Sequence, residues 1–113
     1  MSIPVAPVTT PSSSATLLVK NSSGFVYGAY ALNLSSTAGY FILIDANVIP
    51  VDGAITPKTV VPIAGNGMAS IQGSDGAPMF FHNGIVAVLS SNASPFTKTT
   101  TGALAGFMSC QAQ

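Results

Sequence analysis

Very few side chains in this 113-residue chain can do chemistry. There is one histidine, His82, one cysteine, Cys110, and three carboxylates, Asp45, Asp52 and Asp75, with no glutamate or arginine anywhere. A Ser–His–Asp hydrolase would have to build its base on His82 in "MFFHNG". No G-x-S-x-G elbow presents a serine to it, and the adjoining Asn83-Gly84 reads as a turn. A zinc site needs three or four N, S or O ligands, which one His and one Cys scarcely supply. Calcium is no better served: none of the aspartates sits in a D-x-D-x-D-G loop, and Asp52-Gly53 and Asp75-Gly76 are turn dipeptides. "GNG" at 65–67 reads as a hairpin signal, because no helix follows to cradle a phosphate. The lone Cys110 excludes an internal disulfide framework, fits a reducing cytoplasm, and reads as a small apolar side chain in or beside the terminal strand. Three N-x-[ST] triplets, at Asn21, Asn33 and Asn92, read as chance in a chain rich in Asn, Ser and Thr. The expectation is a protein that is not an enzyme and uses no cofactor and no metal.

Composition points the same way. Charged residues are 5% of the chain, against roughly a quarter in an ordinary soluble domain. Three lysines balance three aspartates, so the formal net charge is zero and no basic surface exists to neutralise a nucleic-acid backbone. Zero net charge also removes the self-repulsion that keeps monomers apart, which favours an oligomer. Although 48% of residues are hydrophobic, "YFILI" ends at Asp45, and no apolar run reaches the roughly 18 residues of a membrane span. The first residues lack the basic and apolar segments of a secretory signal.

The elements that would carry any site are strands. Residues 1–13 hold Pro4, Pro7 and Pro11 and read as an extended Pro/Ser/Thr-rich arm, leaving 14–113 as one domain. Runs rich in Val, Ile, Leu, Phe, Tyr and Thr predict strands over 16–20, 25–34, 39–45, 58–63, 68–72, 84–90 and 102–110, with a possible eighth in the arm. In "FVYGAYALNL" strict alternation puts Phe25, Tyr27, Ala29, Ala31 and Asn33 on one face and Val26, Gly28, Tyr30, Leu32 and Leu34 on the other. "YFILI" and "GIVAVLS" are apolar at consecutive positions, as in strands covered on both sides. The connection 46–57 is expected to cross between sheets, pinned by Val48, Ile49, Val51 and Ile55. Gly and Pro interrupt every candidate helix. The fold class is all-β: a single β-sandwich of about seven or eight antiparallel strands, of jelly-roll or Greek-key type.

Two stretches carry a resemblance. "GYFILIDANVIPVDGAITPKTVVPIAGNG" and "GIVAVLSSNASPFTKTTTGALAGF", spanning residues 38–107 with the segment between them, resemble small β-proteins encoded among the structural genes of tailed bacteriophages. A strand ending in Asp-Ala, a D-G-A-x-T-P-K loop, a V-P-I-A strand and an F-T-K turn before the last strand make up the pattern. More generally the chain resembles the β-sandwich cement, or decoration, proteins of phage capsids, and also small β-domains of tails and fibres.

The resemblance implies a non-enzymatic virion protein, made in the bacterial host cytoplasm. It would bind the major capsid protein or another virion protein and its own copies as a dimer or trimer, without nucleic acid or membrane. On this reading the interface residues are Ile3, Val5 and Val8 of the arm, Tyr27 and Tyr30 of the long strand, and Phe96 and Phe107 near the end. The alternative is a tail or fibre component whose β-domain binds a receptor or carbohydrate, with Tyr27, Tyr30 and Tyr40 around a concavity.

Overall fold

Side chains along an extended strand point alternately to its two faces, so one apolar face per sheet suffices to build a sandwich. The structure, a computed structural model, describes residues 8–9, 14–51, 53–72, 78–91, 97–98 and 106–113. Among them eleven strands are described: β1 (Val8–Thr9), β2 (Thr16–Lys20), β3 (Gly24–Asn33), β4 (Gly39–Ile44), β5 (Gly53–Ala54), β6 (Pro57–Ile63), β7 (Met68–Gln72), β8 (Met79–Phe81), β9 (Ile85–Ser90), β10 (Thr97–Lys98) and β11 (Gly106–Ala112). The first sheet runs β1-β11-β3-β7, with β8 following β7 along the same edge of β3. The second runs β2-β9-β4-β6, and β5 and β10 form a separate two-stranded ribbon. Every pairing among the described strands is antiparallel.

With the ribbon set aside and β7 and β8 taken as one broken edge, the first sheet holds the first, eighth, third and sixth strands. The second sheet holds the second, seventh, fourth and fifth. That order is a jelly roll, two Greek keys rolled into facing sheets. Of the proline-rich first residues, 8–9 pair with β11 as an edge strand, Val8 opposite Cys110 and Thr9 opposite Ser109.

The core between the sheets joins Val26, Ala29, Ala31, Ile71, Phe81, Met108 and Cys110 of the first sheet to Leu17, Phe41, Leu43, Ile63, Ile85, Ala87 and Leu89 of the second. The other face of the second sheet carries its own buried cluster, Ile42, Ile44, Val86 and Val88, against which Tyr40, Ala46, Ile55 and Val60 pack. All six residues of β9 are therefore buried, and its consecutive apolar residues have cover on both sides.

Four expectations need correction. The connection after β4 does not cross between sheets. It returns to β6, the neighbour of β4, and lies over the outer cluster of its own sheet through Ala46 and Ile55, while Val48, Ile49 and Val51 remain exposed. The "GNG" turn is not a hairpin, because β6 and β7 belong to different sheets. Asn66 adopts φ 55°, the left-handed conformation that Asn tolerates, and its N–H donates to the Ser35 carbonyl. The third correction concerns β3. Gly28 pairs with Gln111 but Val26 pairs with Ala112, so Tyr27 is an extra residue and a bulge reverses the alternation there. Val26, Ala29, Ala31 and Asn33 face inward as a result, and Tyr27 and Tyr30, which strict alternation would separate, share the outer face. Finally, the last strand extends through Ala112, beyond the expected end at 110.

Candidate functional site

Of the described residues that could do chemistry, Asp45 and His82 meet at a turn and Cys110 lies in the core. Asp45, just after β4, accepts the backbone N–H groups of His82 (2.9 Å), Asn83 (2.7 Å) and Gly84 (3.4 Å). Burial opposes its ionisation, but these three donors and the charge of Lys58 outweigh that cost and hold its pKa below the ordinary 3.8. The carboxylate thus caps the turn between β8 and β9 through the main chain of His82, while the exposed imidazole of His82 lies edge-on to Phe80, with ring centroids 6.1 Å apart. A side chain at Gly84 would drive its Cβ into the carbonyl of Ala46 and within 2.7 Å of that of Lys20, so only glycine fits under this cap.

Cys110 is buried in the core, and burial pushes its thiol up to about 12, where a thiolate is out of reach. Asn33 is fully buried: its amide donates to the carbonyls of Thr37 (2.9 Å) and Ala64 (3.1 Å), and its oxygen accepts the Ser35 N–H (2.9 Å). That side chain is closed to glycosylation. Asn21 is exposed, and Asn92, Asp52 and Asp75 lie outside the described residues. Among the described residues no three His, Cys, Asp or Glu side chains gather into a cluster, and no buried polar side-chain atom lacks a partner.

The surface is where the molecule offers something to a partner, and its two sheets offer different things. Over the second sheet, the connection 45–56 leaves Val48 63%, Ile49 40% and Val51 86% exposed, an aliphatic crest with Pro50 in its middle. Over the first sheet, the β3 bulge sets Tyr27 and Tyr30 on either side of Gly28, which has no side chain to fill the space between them. Beside them stand Gln72 of β7 and Ser109 and Gln111 of β11. These residues line an open groove of about 340 Å³, and among the described residues no charged side chain stands in its walls. The Tyr27 hydroxyl donates to Oε1 of Gln113 (3.0 Å), which fixes that wall, and Ser109 Oγ lies 3.4 Å from Thr9 Oγ1. Apolar groups flank the groove at both ends. Phe25 meets its cross-strand neighbour Phe80 in a tilted contact with centroids 5.2 Å apart, and Leu32 lies between Phe107 and Met68 in the register of the sheet.

Of the residues expected at an interface, Val8 is exposed on the edge strand, Tyr27 and Tyr30 wall the groove, and Phe107 is exposed on the same sheet; Ile3, Val5 and Phe96 lie outside the described residues. Tyr40 does not join Tyr27 and Tyr30: it sits half-buried on the second sheet against the outer cluster. Sequence reasoning missed the crest, because Val48, Ile49 and Val51 look like residues that bury themselves. It also missed Gln72, Ser109 and Gln111, since no local pattern reveals that three distant strands bring them to one groove. The chain matches no family model, no curated protein and no solved structure.

Proposed function

We propose that this chain is a non-enzymatic virion structural protein, a capsid cement or decoration protein that holds a phage head together through apolar contacts. Its partners are the major capsid protein or another virion protein and further copies of itself as a dimer or trimer. The observation that carries this reading is the crest at 48–51, three aliphatic side chains held out in solvent by a sheet whose own outer face is already covered. Interface cores are depleted of charge, and this crest has none. Burying such surface contributes about 25 cal/mol per Å² before association costs, and contacts of roughly 1,000 Å² repeated over a shell would slow its disassembly. With few ion pairs to screen, contacts of this kind vary little with salt.

The test is the mass of the purified protein by light scattering, followed by co-sedimentation with capsids that lack it. A dimer or trimer that pellets with capsids is expected, and the double variant Val48→Lys/Val51→Lys should lose that pelleting while its unfolding free energy stays within about 0.5 kcal/mol of the parent, as for other surface changes. A parent protein that ignores capsids would sink the cement reading. The second reading is a tail or fibre component with a receptor- or carbohydrate-binding β-domain, favoured by the tyrosine-walled groove on the first sheet; its signature is pelleting with host cells and not with capsids.

A further inference from the structure

We infer that the groove over Gly28 binds a neutral saccharide, one or two sugar rings wide. The inference deepens the second reading, a carbohydrate-binding β-domain, and does not rest on the cement reading, because the groove and the aliphatic crest lie on different sheets and can be occupied independently. The walls identify the ligand. Tyr27 and Tyr30 offer aromatic surface that ends in a hydroxyl, suited to a ligand with a C–H-rich face and a polar rim. Gln72, Gln111 and Ser109 supply neutral donors and acceptors, two of them amides that can both give and accept a hydrogen bond. Among the described residues no lysine or aspartate lines the site, so these walls offer a phosphate, a sulfated sugar or a carboxylated one no counter-charge. The strands beneath are paired with one another through β11, β3 and β7, so their main chain cannot add a peptide strand at this place, and recognition falls to side chains. At about 340 Å³ the groove is at the small end of the ~300–1,000 Å³ of small-molecule sites, room for a mono- or disaccharide.

The bulge makes the site. It carries Tyr27 to the face that Tyr30 occupies and leaves glycine at the floor between them. A Cβ placed on Gly28 would meet only the Ile71 carbonyl, at an ordinary 3.8 Å. Glycine is therefore not demanded by packing at this position, in contrast to Gly84, and its absent side chain is what keeps the groove open.

The experiment is an NMR titration of the ¹⁵N-labelled full chain with maltose, cellobiose, lactose and N,N′-diacetylchitobiose, with sialyllactose as the anionic comparison. Amylose and a soluble β-glucan serve as polymer arms that separate recognition of a free sugar from recognition of a chain. At least one neutral disaccharide is expected to shift the amides of Gly28, Gln72 and Gln111 saturably, with a dissociation constant on the order of 1 mM for so open a site. Gly28→Val, which fills the floor, and Tyr30→Ala, which removes a wall, should each weaken that binding about tenfold or more at unchanged thermal midpoint. Gln72→Leu, at an exposed position, serves where Gly28→Val disturbs the fold. No shift at these amides with any neutral sugar up to about 20 mM would overturn the inference, as would parental affinity in the Gly28 and Tyr30 variants or a preference for sialyllactose. Capsid co-sedimentation of Gly28→Val, expected to equal the parent, separates failure of the groove from failure of the crest.

Discussion

On the second sheet, Ile42, Ile44, Val86 and Val88 of the outer face are as buried as Phe41, Leu43, Ala87 and Leu89 of the core behind them; on the first sheet, the outward Phe25, Tyr30, Phe107 and Met68 stand in solvent, Met68 with 68% of its surface exposed. The difference lies in the connections that leave each sheet. After β4 the polypeptide returns across its own sheet, and Ala46 and Ile55 settle on the outer cluster. No such cover comes from the described connections of the first sheet, whose outer face keeps the polar Ser109, Gln111, Ser70 and Gln72 among its aromatic residues. One apolar face has been spent on folding, and each fully buried side chain there contributes about 1.5–3 kcal/mol. The other remains available to a ligand. Assembly, on the virion reading, uses the covering segment itself, whose inner residues hold the fold while its outer ones meet a partner.

A single charge placed on each sheet's outer face should show this difference at its largest. Val88→Asp buries a carboxylate with no partner and should abolish the cooperative unfolding transition, a loss of more than about 4 kcal/mol. Phe107→Asp on the first sheet should cost no more than about 1 kcal/mol. Urea denaturation followed by far-ultraviolet circular dichroism compares the two, and equal stabilities would show that the second face is not a core.

A smaller effect is expected where the two sheets are tied together. Asn33, at the end of β3, bonds to the carbonyl of Ala64 just after β6, so a strand of the first sheet holds the connection leaving the second. Asn33→Ala would remove the fully buried amide together with its bonds to the carbonyls of Thr37 and Ala64 and to the Ser35 N–H, at about 1–3 kcal/mol. A midpoint within error of the parent in the same urea experiment would show that the tie contributes nothing.

The smallest effect concerns Asp45, the cap between β8 of the first sheet and β9 of the second. Its folded pKa lies below its ordinary value, so its contribution is present above about pH 3.8 and is lost as pH falls through the folded pKa. Parent and Asp45→Asn should therefore differ in stability near neutral pH and converge in acid. Thermal midpoints measured from pH 7 to about pH 2.5 test this, and a constant difference across that range would remove the cap from the account.

Much of this was legible in the residues. Consecutive apolar positions in "YFILI" and "GIVAVLS" announce strands covered on both sides, and β-branched runs between turn clusters announce an all-β sandwich. β8 escaped notice because it has only three residues and its aromatic pair reads equally well as part of a turn. A concavity beside Tyr27 and Tyr30 was expected, but with Tyr40 in it and without Gln72, Ser109 and Gln111. How the two tyrosines come to share a face escaped because period-two counting assumes an unbroken strand, and the bulge at Tyr27 breaks it.

By itself the sequence determined the strand content, the scarcity of catalytic side chains and the apolar character of two strands, because these follow from local propensity and composition. Tertiary structure alone decided which sheet each strand joins, that the 45–56 segment roofs its own sheet, and that Tyr27 and Tyr30 share a face with Gln72 and Gln111. The physical reason is that antiparallel registers between strands distant in the chain, together with one extra residue in β3, are settled by which packing covers the most apolar surface, and no local pattern records that sum.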